Sequence, residues 1–91
     1  MEFEWDPEKD RINQQKHGVS FAEGSTAFGD PLARTAWDPR YSESEDRFLT
    51  TGYTSANRLV IVAHTDRGGR TRIISVREVL PKERRFYESE E

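Results

Sequence analysis

Arginine residues crowd the last third of the chain and are the first candidates for chemistry. Between residues 58 and 85 the sequence has seven arginines and one lysine against three acidic residues, although the whole chain carries a net charge of −3. Guanidinium groups bind phosphate oxygens in pairs and stabilise negative charge that develops on phosphorus. The asymmetry predicts either a basic face that works on a phosphodiester or a solvated surface that happens to be basic.

Arg72 and Arg77 lie in the strongest candidate segment, a strand predicted from Arg70 to Arg77. Regular alternation would place the two side chains on opposite faces of that strand. A buried arginine without a partner is costly. Each guanidinium therefore either pairs with a carboxylate, such as Glu83 or Glu45 for Arg77, or lines an open surface that binds anions. The second possibility makes both arginines candidates for clamping a phosphate.

His64 is the candidate for proton transfer. It closes the third predicted strand, just before a turn that contains Gly68 and Gly69. Histidine is the usual general acid or base at neutral pH. With Arg67 and Arg72 nearby across the hairpin, it could act on a phosphodiester. The alternative is a histidine that only caps the strand or lies on the surface.

Other chemistries lack the residues that they need. The chain has no cysteine, which excludes thiol nucleophiles and thiolate metal sites. Acidic residues cluster only at Asp38 and in residues 43–46, a polar segment typical of a solvated loop. Ser75 has no base within its own motif, and Gly68-Gly69 fits a turn rather than a phosphate-binding loop. We therefore expect neither a metal nor any other cofactor.

Capping and turn signals divide the chain into elements in the order ααββββα. Asp6 and Gly18 suit the two ends of a first helix, and Ser20 with Glu23 forms a capping box at the start of a second. The second helix ends at Gly29-Asp30-Pro31. The predicted strands are Leu32–Trp37, Arg47–Thr54, Leu59–Thr65 and Arg70–Arg77, and a short last helix begins at Glu78 or Pro81.

These elements predict an α+β domain with a four-stranded antiparallel sheet, because tight turns join the last three strands. The third strand is apolar on both faces and is expected to be central. Ile12 is the one apolar residue of the first helix that could face a core. Phe86 and Tyr87 are expected to dock the last helix.

Length and hydropathy favour one cytoplasmic domain. The 91 residues suit a single domain, residues 1–91. The longest apolar run, Leu59 to Ala63, is far shorter than the roughly 20 residues that a membrane-spanning helix needs. The N-terminus has neither the basic start nor the apolar core of a signal peptide. We expect a cytoplasmic protein without membrane contact.

Several of these segments together resemble the BrnT family of toxins. The first half of the resemblance lies in Phe3-Glu4-Trp5-Asp6, Asn13, Lys16-His17-Gly18-Val19-Ser20-Phe21 and Phe28-Gly29-Asp30-Pro31. The second half lies in Glu45-Asp46-Arg47, Gly52, His64-Thr65-Asp66-Arg67, Arg72-Ile73-Ile74-Ser75-Val76-Arg77, Glu83 and Tyr87. The similarity extends over almost the whole chain, and the combination of segments is specific although each one alone is weak.

The resemblance implies a RelE-like fold and an RNA-cleaving toxin that blocks translation. It also implies a partner, a BrnA-like antitoxin with a ribbon-helix-helix region, in a hetero-oligomer that reaches operator DNA only through the antitoxin. The catalytic residues that it implies are His64, Arg67, Arg72 and Arg77. The RNA-binding or supporting residues are Lys16, His17, Glu45, Arg47, Lys82, Glu83 and Tyr87, of which Lys16 and His17 could instead only complement the dipole of the first helix.

The reaction expected of such a protein is attack of the ribose 2′-oxygen on the adjacent phosphate, without a metal. Arg72 and Arg77 would stabilise the developing charge, and His64 or a nearby lysine or glutamate would carry protons. One alternative is a non-catalytic module that binds the antitoxin and co-represses the operon, with the two arginines in ion pairs. A protein that reads DNA directly ranks last, since no helix-turn-helix pattern is present.

Overall fold

The computed structural model describes residues 1–89, with side chains through Arg85. The strands are β1 Phe3–Glu4, β2 Arg34–Trp37, β3 Phe48–Tyr53, β4 Leu59–Arg67 and β5 Arg70–Glu78. The helices are α1 Pro7–His17, α2 Phe21–Ser25 and α3 Pro81–Ser89, with short 3₁₀ helices at Thr26–Gly29 and Pro39–Tyr41. The side chains of Phe86 and Tyr87, which were expected to dock α3, lie outside the described residues. No helix in residues 1–89 is long and apolar enough to cross a membrane.

The fold is α+β, but its sheet is mixed and has five strands, in the order β1-β5-β4-β3-β2. The expected RelE-like sheet of four antiparallel strands is therefore inexact. Strands β2 to β5 are antiparallel to their neighbours, whereas β1 lies parallel to β5, with Glu4 opposite Arg72. The central position predicted for β4 is confirmed. A two-residue strand is too short to show alternation, which is why the sequence pattern did not predict β1.

The caps predicted at Asp6, Gly18 and Ser20 are present, but the Glu23 carboxylate contacts Arg58 and Thr54 rather than completing the capping box. The Asp6 carboxylate accepts a hydrogen bond from the Glu8 backbone N–H at 2.9 Å, and Gly18 closes α1 in the left-handed conformation with φ of 70°. Ser20 Oγ accepts from the Glu23 N–H at 3.0 Å. These contacts fix where α1 begins and ends and where α2 begins. The second helix, predicted to run to Gly29, is α-helical only to Ser25 and continues as a 3₁₀ helix.

Asn13, and not Ile12, is the residue of α1 that faces the interior. The prediction for Ile12 is wrong, since this side chain is 46% exposed. The buried Asn13 amide donates to the carbonyls of Val19 and Val76 and accepts from the Val76 N–H. Because β1 pairs only with the start of β5, the edge of β5 at Val76 is open. The Asn13 side chain supplies the hydrogen bonds that a longer β1 would have made there.

A β-bulge interrupts the pairing of β4 with β5. Ala63 pairs with Ser75, and the next residue, His64, pairs with Ile73, so Ile74 is an extra residue in β5. Because of the bulge, the consecutive side chains of Ile74 and Ser75 lie on the same face of the sheet. Ile73 before them and Val76 after them lie on the opposite face. Alternation is therefore broken in the middle of the strand that carries the candidate arginines.

The bulge places Arg72 and Arg77 on the same face of the sheet. Ile73 and Val76 are both fully buried in the core beneath α2, so the residue before Ile73 and the residue after Val76 both point away from it. The expectation that the two arginines lie on opposite faces is wrong for this reason. We call the face covered by α2 the helix face and the opposite one the open face.

Candidate functional site

A cluster of charged side chains covers the open face beside the β4–β5 turn. We call it the hairpin cluster, and it consists of Glu4, Glu45, Arg67, Arg70 and Arg72. Arg72 Nη1 donates to Glu4 Oε2 at 2.9 Å, and Arg70 Nη1 lies 3.7 Å from Glu4 Oε1. Arg67 Nη2 donates to Glu45 Oε1 at 3.1 Å.

The hydrogen bond between Arg67 and Glu45 favours the ionised form of both side chains. The hydrogen bond from Arg67 lowers the pKa of the Glu45 carboxyl, and the charges of Arg47 and Arg72 lower it further. The same hydrogen bond raises the pKa of Arg67. Glu45 therefore lies within the field of three arginines, two of which come from different strands. Such a group of guanidinium donors can bind a phosphate once the phosphate replaces the carboxylates as their hydrogen-bond acceptor.

The polar segment before β3 folds beside this cluster. Thr65 Oγ1, on β4, donates to the Asp46 carbonyl at 2.6 Å, which ties the segment to the hairpin. The guanidinium of Arg47 lies 5.7 Å from the centre of the Tyr41 ring, and that of Arg40 lies 5.9 Å from it. Arg47, predicted to be a supporting residue, is thus brought next to the hairpin cluster.

Arg77 lies at the other end of the open face, in a bidentate ion pair with Glu83 of α3. The two nitrogen–oxygen distances are 3.0 and 3.1 Å, and Glu83 also accepts from the Leu80 N–H at 2.8 Å. The ion pair considered in the sequence analysis for Arg77 is therefore present. The hydrogen bonds from Arg77 and Leu80, together with the charge of Lys82, lower the pKa of Glu83 to about 2.

The separation of the two arginines follows from the strand register. Arg72 is opposite Thr65 and Arg77 is opposite Ile61, four positions apart on β4. At about 3.3 Å per residue, the Cα atoms of Arg72 and Arg77 are about 13 Å apart. At this spacing the two guanidinium groups can contact two different phosphates of one strand.

His64 is not brought together with the arginines. Its ring points to the helix face, is 6% exposed, and packs between Phe28 and Phe48 at centroid distances of 4.9 and 5.9 Å. Nε2 and Thr50 Oγ1 share a hydrogen bond of 2.7 Å, while Nδ1 has no partner among the described residues. Burial lowers the pKa of His64, which favours the neutral ring.

Lys16 and His17 are also separate from the hairpin cluster. They end α1 beside Gly18, whose carbonyl accepts from Arg58 at 3.1 Å. Arg58 precedes the first residue of β4, whereas Arg67 is its last residue, so the two regions lie at opposite ends of that strand. The structure gives Lys16 and His17 the position expected for residues that complement the dipole of α1.

The remaining supporting residues lie near Arg77 or outside the described side chains. Lys82 is exposed in the first turn of α3, next to Glu83. Tyr87 lies outside the residues whose side chains are described. Among the side chains that the structure describes, those of residues 1–85, no three histidines, aspartates or glutamates are grouped so that they could hold a metal ion.

Sequence reasoning missed Glu4 and Arg70 as members of the site. Glu2 and Glu4 alternate with Phe3, which is a weak strand signal, but nothing in the sequence says which strand they join. Only the parallel pairing of β1 with β5 places Glu4 opposite Arg72. Arg70 was counted among the basic residues of this region without being assigned to the site.

Comparison with known proteins identifies related sequences and a related fold. A sequence model described as "Ribonuclease toxin, BrnT, of type II toxin-antitoxin system" matches residues 5–83. The 1.1 Å crystal structure of the Brucella abortus ribonuclease toxin BrnT is similar, with a TM-score of 0.64 and 23% sequence identity over 88% of this chain and 97% of that one. At this identity the likeness shows a shared fold. No curated protein sequence matches significantly.

Proposed function

Since this chain belongs to the BrnT family of ribonuclease toxins of type II toxin–antitoxin systems, we propose that it cleaves RNA on its open face. The observation that carries this proposal is the β-bulge at Ile74, which brings Arg72 and Arg77 to one surface. The hairpin cluster binds the phosphate at which cleavage occurs, and Arg77 binds another phosphate of the same strand.

The ion pairs of the open face do not prevent phosphate binding. The Arg67–Glu45 pair is 52% and 38% exposed, and exposed pairs of this kind contribute about 0–1 kcal/mol, because water solvates the separated charges well. A phosphodiester offers Arg72 and Arg67 the same oxygen geometry as the carboxylates that they contact. RNA can therefore replace Glu4 or Glu45 at the guanidinium groups for a small free-energy cost.

The reaction that fits this face is attack of the ribose 2′-oxygen on the neighbouring phosphorus. The substrate supplies its own nucleophile, so the protein needs only to position the phosphate, stabilise the charge that develops on its oxygens and move protons. Arg72 and Arg67 supply the charge stabilisation, and no metal takes part. His64, buried on the helix face, supports the sheet beneath the site rather than contacting RNA.

The partners follow from the same assignment. The antitoxin is a BrnA-like protein with a ribbon-helix-helix region, which covers the open face in a hetero-oligomer and carries the complex to operator DNA. The toxin acts in the cytoplasm, where its cleavage of RNA blocks translation.

Expression in a bacterium tests the proposal. The wild-type chain should arrest growth and fragment cellular RNA, and Arg72→Ala should relieve both. Arg11→Ala is the matched control, because it removes the same charge from α1, where Arg11 pairs with Glu8 away from the open face. RNA that stays intact during wild-type expression, or equal relief by both variants, would contradict the proposal.

A non-catalytic antitoxin-binding module is the second candidate function. The observation that favours it is that Arg67, Arg72 and Arg77 are all paired with carboxylates within this chain. In that case Arg77→Glu should abolish antitoxin binding, and the wild-type chain should cleave no RNA. Loss of antitoxin binding with RNA cleavage retained would instead show that Arg77 belongs to the antitoxin interface of an active enzyme.

A further inference from the structure

We propose that Glu4 is the general base of this ribonuclease and accepts the proton of the attacking 2′-hydroxyl. The inference rests on the proposed function and names the group that carries the proton in it. It assigns a catalytic role to β1, the strand that the sequence pattern did not predict.

The position of Glu4 carries this inference. The parallel register sets Glu4 directly opposite Arg72, and its Oε2 accepts from Arg72 Nη1 at 2.9 Å. Its other oxygen lies 3.7 Å from Arg70 Nη1. The side chains of Glu4 and Arg72 are each 28% exposed, so the carboxylate is held in place and still reached from the open face. A phosphate that Arg72 holds would lie next to this carboxylate.

The other groups that could accept the proton are less well placed. His64 is buried on the opposite face of the sheet. Glu83 is held in a bidentate pair with Arg77, whose hydrogen bonds help to lower its pKa to about 2, and this makes it a weak base. Glu45 lies in the polar segment before β3, is more exposed than Glu4 at 38%, and is not fixed beside Arg72 by a strand register. General-base catalysis requires a group that both reaches the proton and binds it well enough.

The charged groups that face Glu4 suit the reaction. Arg70 and Arg72 contact its two oxygens, and Arg67 is close enough for its charge to interact with that of Glu4. Arg70 also pairs with Glu2, whose Oε1 lies 3.5 Å from Arg70 Nε. When RNA enters, Arg72 turns its hydrogen bonds towards the phosphate and leaves Glu4 Oε2 free to accept a proton. The base and the cation that stabilises the phosphorane are therefore neighbours from adjacent strands.

The proposed step is a transesterification that conserves every atom. Glu4 takes the proton of the 2′-hydroxyl, the 2′-oxygen forms a bond to phosphorus, and the bond from phosphorus to the 5′-oxygen breaks. The electron pair of that bond stays on the 5′-oxygen, which takes a proton from water. The products are a 2′,3′-cyclic phosphate and a 5′-hydroxyl, and Glu4 then returns its proton to the solvent.

The test compares Glu4→Gln with the control variant Glu8→Gln, which removes the same charge from α1, where Glu8 pairs with Arg11 away from the open face. Single-turnover cleavage of an RNA oligonucleotide measures the chemical step, and binding of the 2′-O-methyl form of the same RNA measures affinity without cleavage. We expect Glu4→Gln to lose about 10²–10⁴-fold in rate and to bind the 2′-O-methyl RNA within about twofold of wild type. Glu8→Gln should cleave at the wild-type rate. Glu4→Asp, which keeps the carboxylate, should recover part of the rate.

Two results would overturn the inference while the proposed function stands. One is cleavage by Glu4→Gln at a rate within about threefold of wild type. The other is a parallel loss of cleavage and of RNA binding, which would make Glu4 a residue that only positions Arg72. Failure of the proposed function itself would appear differently, as the absence of RNA cleavage by the wild type.

Discussion

The ion pair between Arg77 and Glu83 should make a measurable, pH-dependent contribution to stability. The substitution Glu83→Gln keeps the shape of the side chain and an oxygen that can accept the hydrogen bonds of Arg77 and Leu80, but removes the charge. In the folded protein the pKa of Glu83 is about 2, against an ordinary value of 4.5. At about 1.36 kcal/mol per pKa unit, this difference sets an upper bound of about 3.4 kcal/mol.

Solvent reduces that upper bound. The side chain of Glu83 is 34% exposed and that of Arg77 is 41% exposed, and pairs at such positions contribute about 0.2–1 kcal/mol in measured cases. We therefore expect Glu83→Gln to lower the free energy of unfolding by about 1 kcal/mol at pH 7. Because the folded pKa lies below the unfolded one, this stabilisation is complete above pH 4.5 and is lost as the pH falls towards about 2.

Urea unfolding at pH 7, 4.5 and 2.5 measures this effect. The difference between wild type and Glu83→Gln should persist at pH 4.5 in large part and shrink at pH 2.5. Glu43→Gln, a change of the same kind in the exposed segment before β3, is the control and should alter the free energy by less than about 0.5 kcal/mol. A difference that is the same at pH 7 and pH 2.5, or that is zero at pH 7, would refute the reasoning about this pair.

Three further predictions concern the support of the site and its chemistry. Asn13→Ala removes the side chain that satisfies the Val19 and Val76 carbonyls and the Val76 N–H. Thermal or urea unfolding should therefore show a free energy of unfolding lower by about 2–4 kcal/mol. A decrease below about 0.5 kcal/mol would contradict the role given to Asn13. Burial lowers the pKa of His64 below its ordinary 6.5, so the free energy of unfolding should decrease as the pH drops below about 6.5. The variant His64→Gln should lack this decrease. Equal pH profiles of unfolding for the two proteins would contradict the prediction. RNA cleavage should proceed at an unchanged rate in excess EDTA, and a rate restored only by added Mg²⁺ would show that a metal takes part.

Much of the fold could be predicted because it depends on local chemistry. Asp6, Gly18 and Ser20 act through hydrogen bonds to residues two to four positions away, and these patterns are visible in the sequence. The continuous apolar run that begins at Leu59 identified the central strand, in which Leu59, Val60 and Val62 are buried.

The parts that could not be predicted depend on long-range pairing. Alternation assumes one residue per position, and the extra residue Ile74 breaks that rule for every side chain that follows it. In retrospect, the buried positions Ile73 and Val76 are three residues apart, which fits a bulge better than a regular strand. The error moved Arg77 to the wrong face, and the structure corrects it.

Only some residues of the candidate site could be predicted from the sequence. Arg67 and Arg72 were identified from residue type and position near the hairpin, and Glu45 from the resemblance to the BrnT family. The structure brings the three side chains together. His64 was assigned from residue type, its position before the hairpin and the family resemblance, and its burial follows from the same face of β4 that buries Val62. Glu4 could not be found, because the pairing of β1 with β5 joins residues 68 positions apart.

Cleavage of RNA and DNA strands of identical sequence by the purified chain, in excess EDTA, tests the central claim most directly. The account predicts that the RNA is cut to fragments ending in a 2′,3′-cyclic phosphate, that the DNA stays intact, and that Arg72→Ala cleaves the RNA far more slowly than Arg11→Ala. Intact RNA, DNA cut at a comparable rate, or an Arg72→Ala variant as active as its control would contradict it.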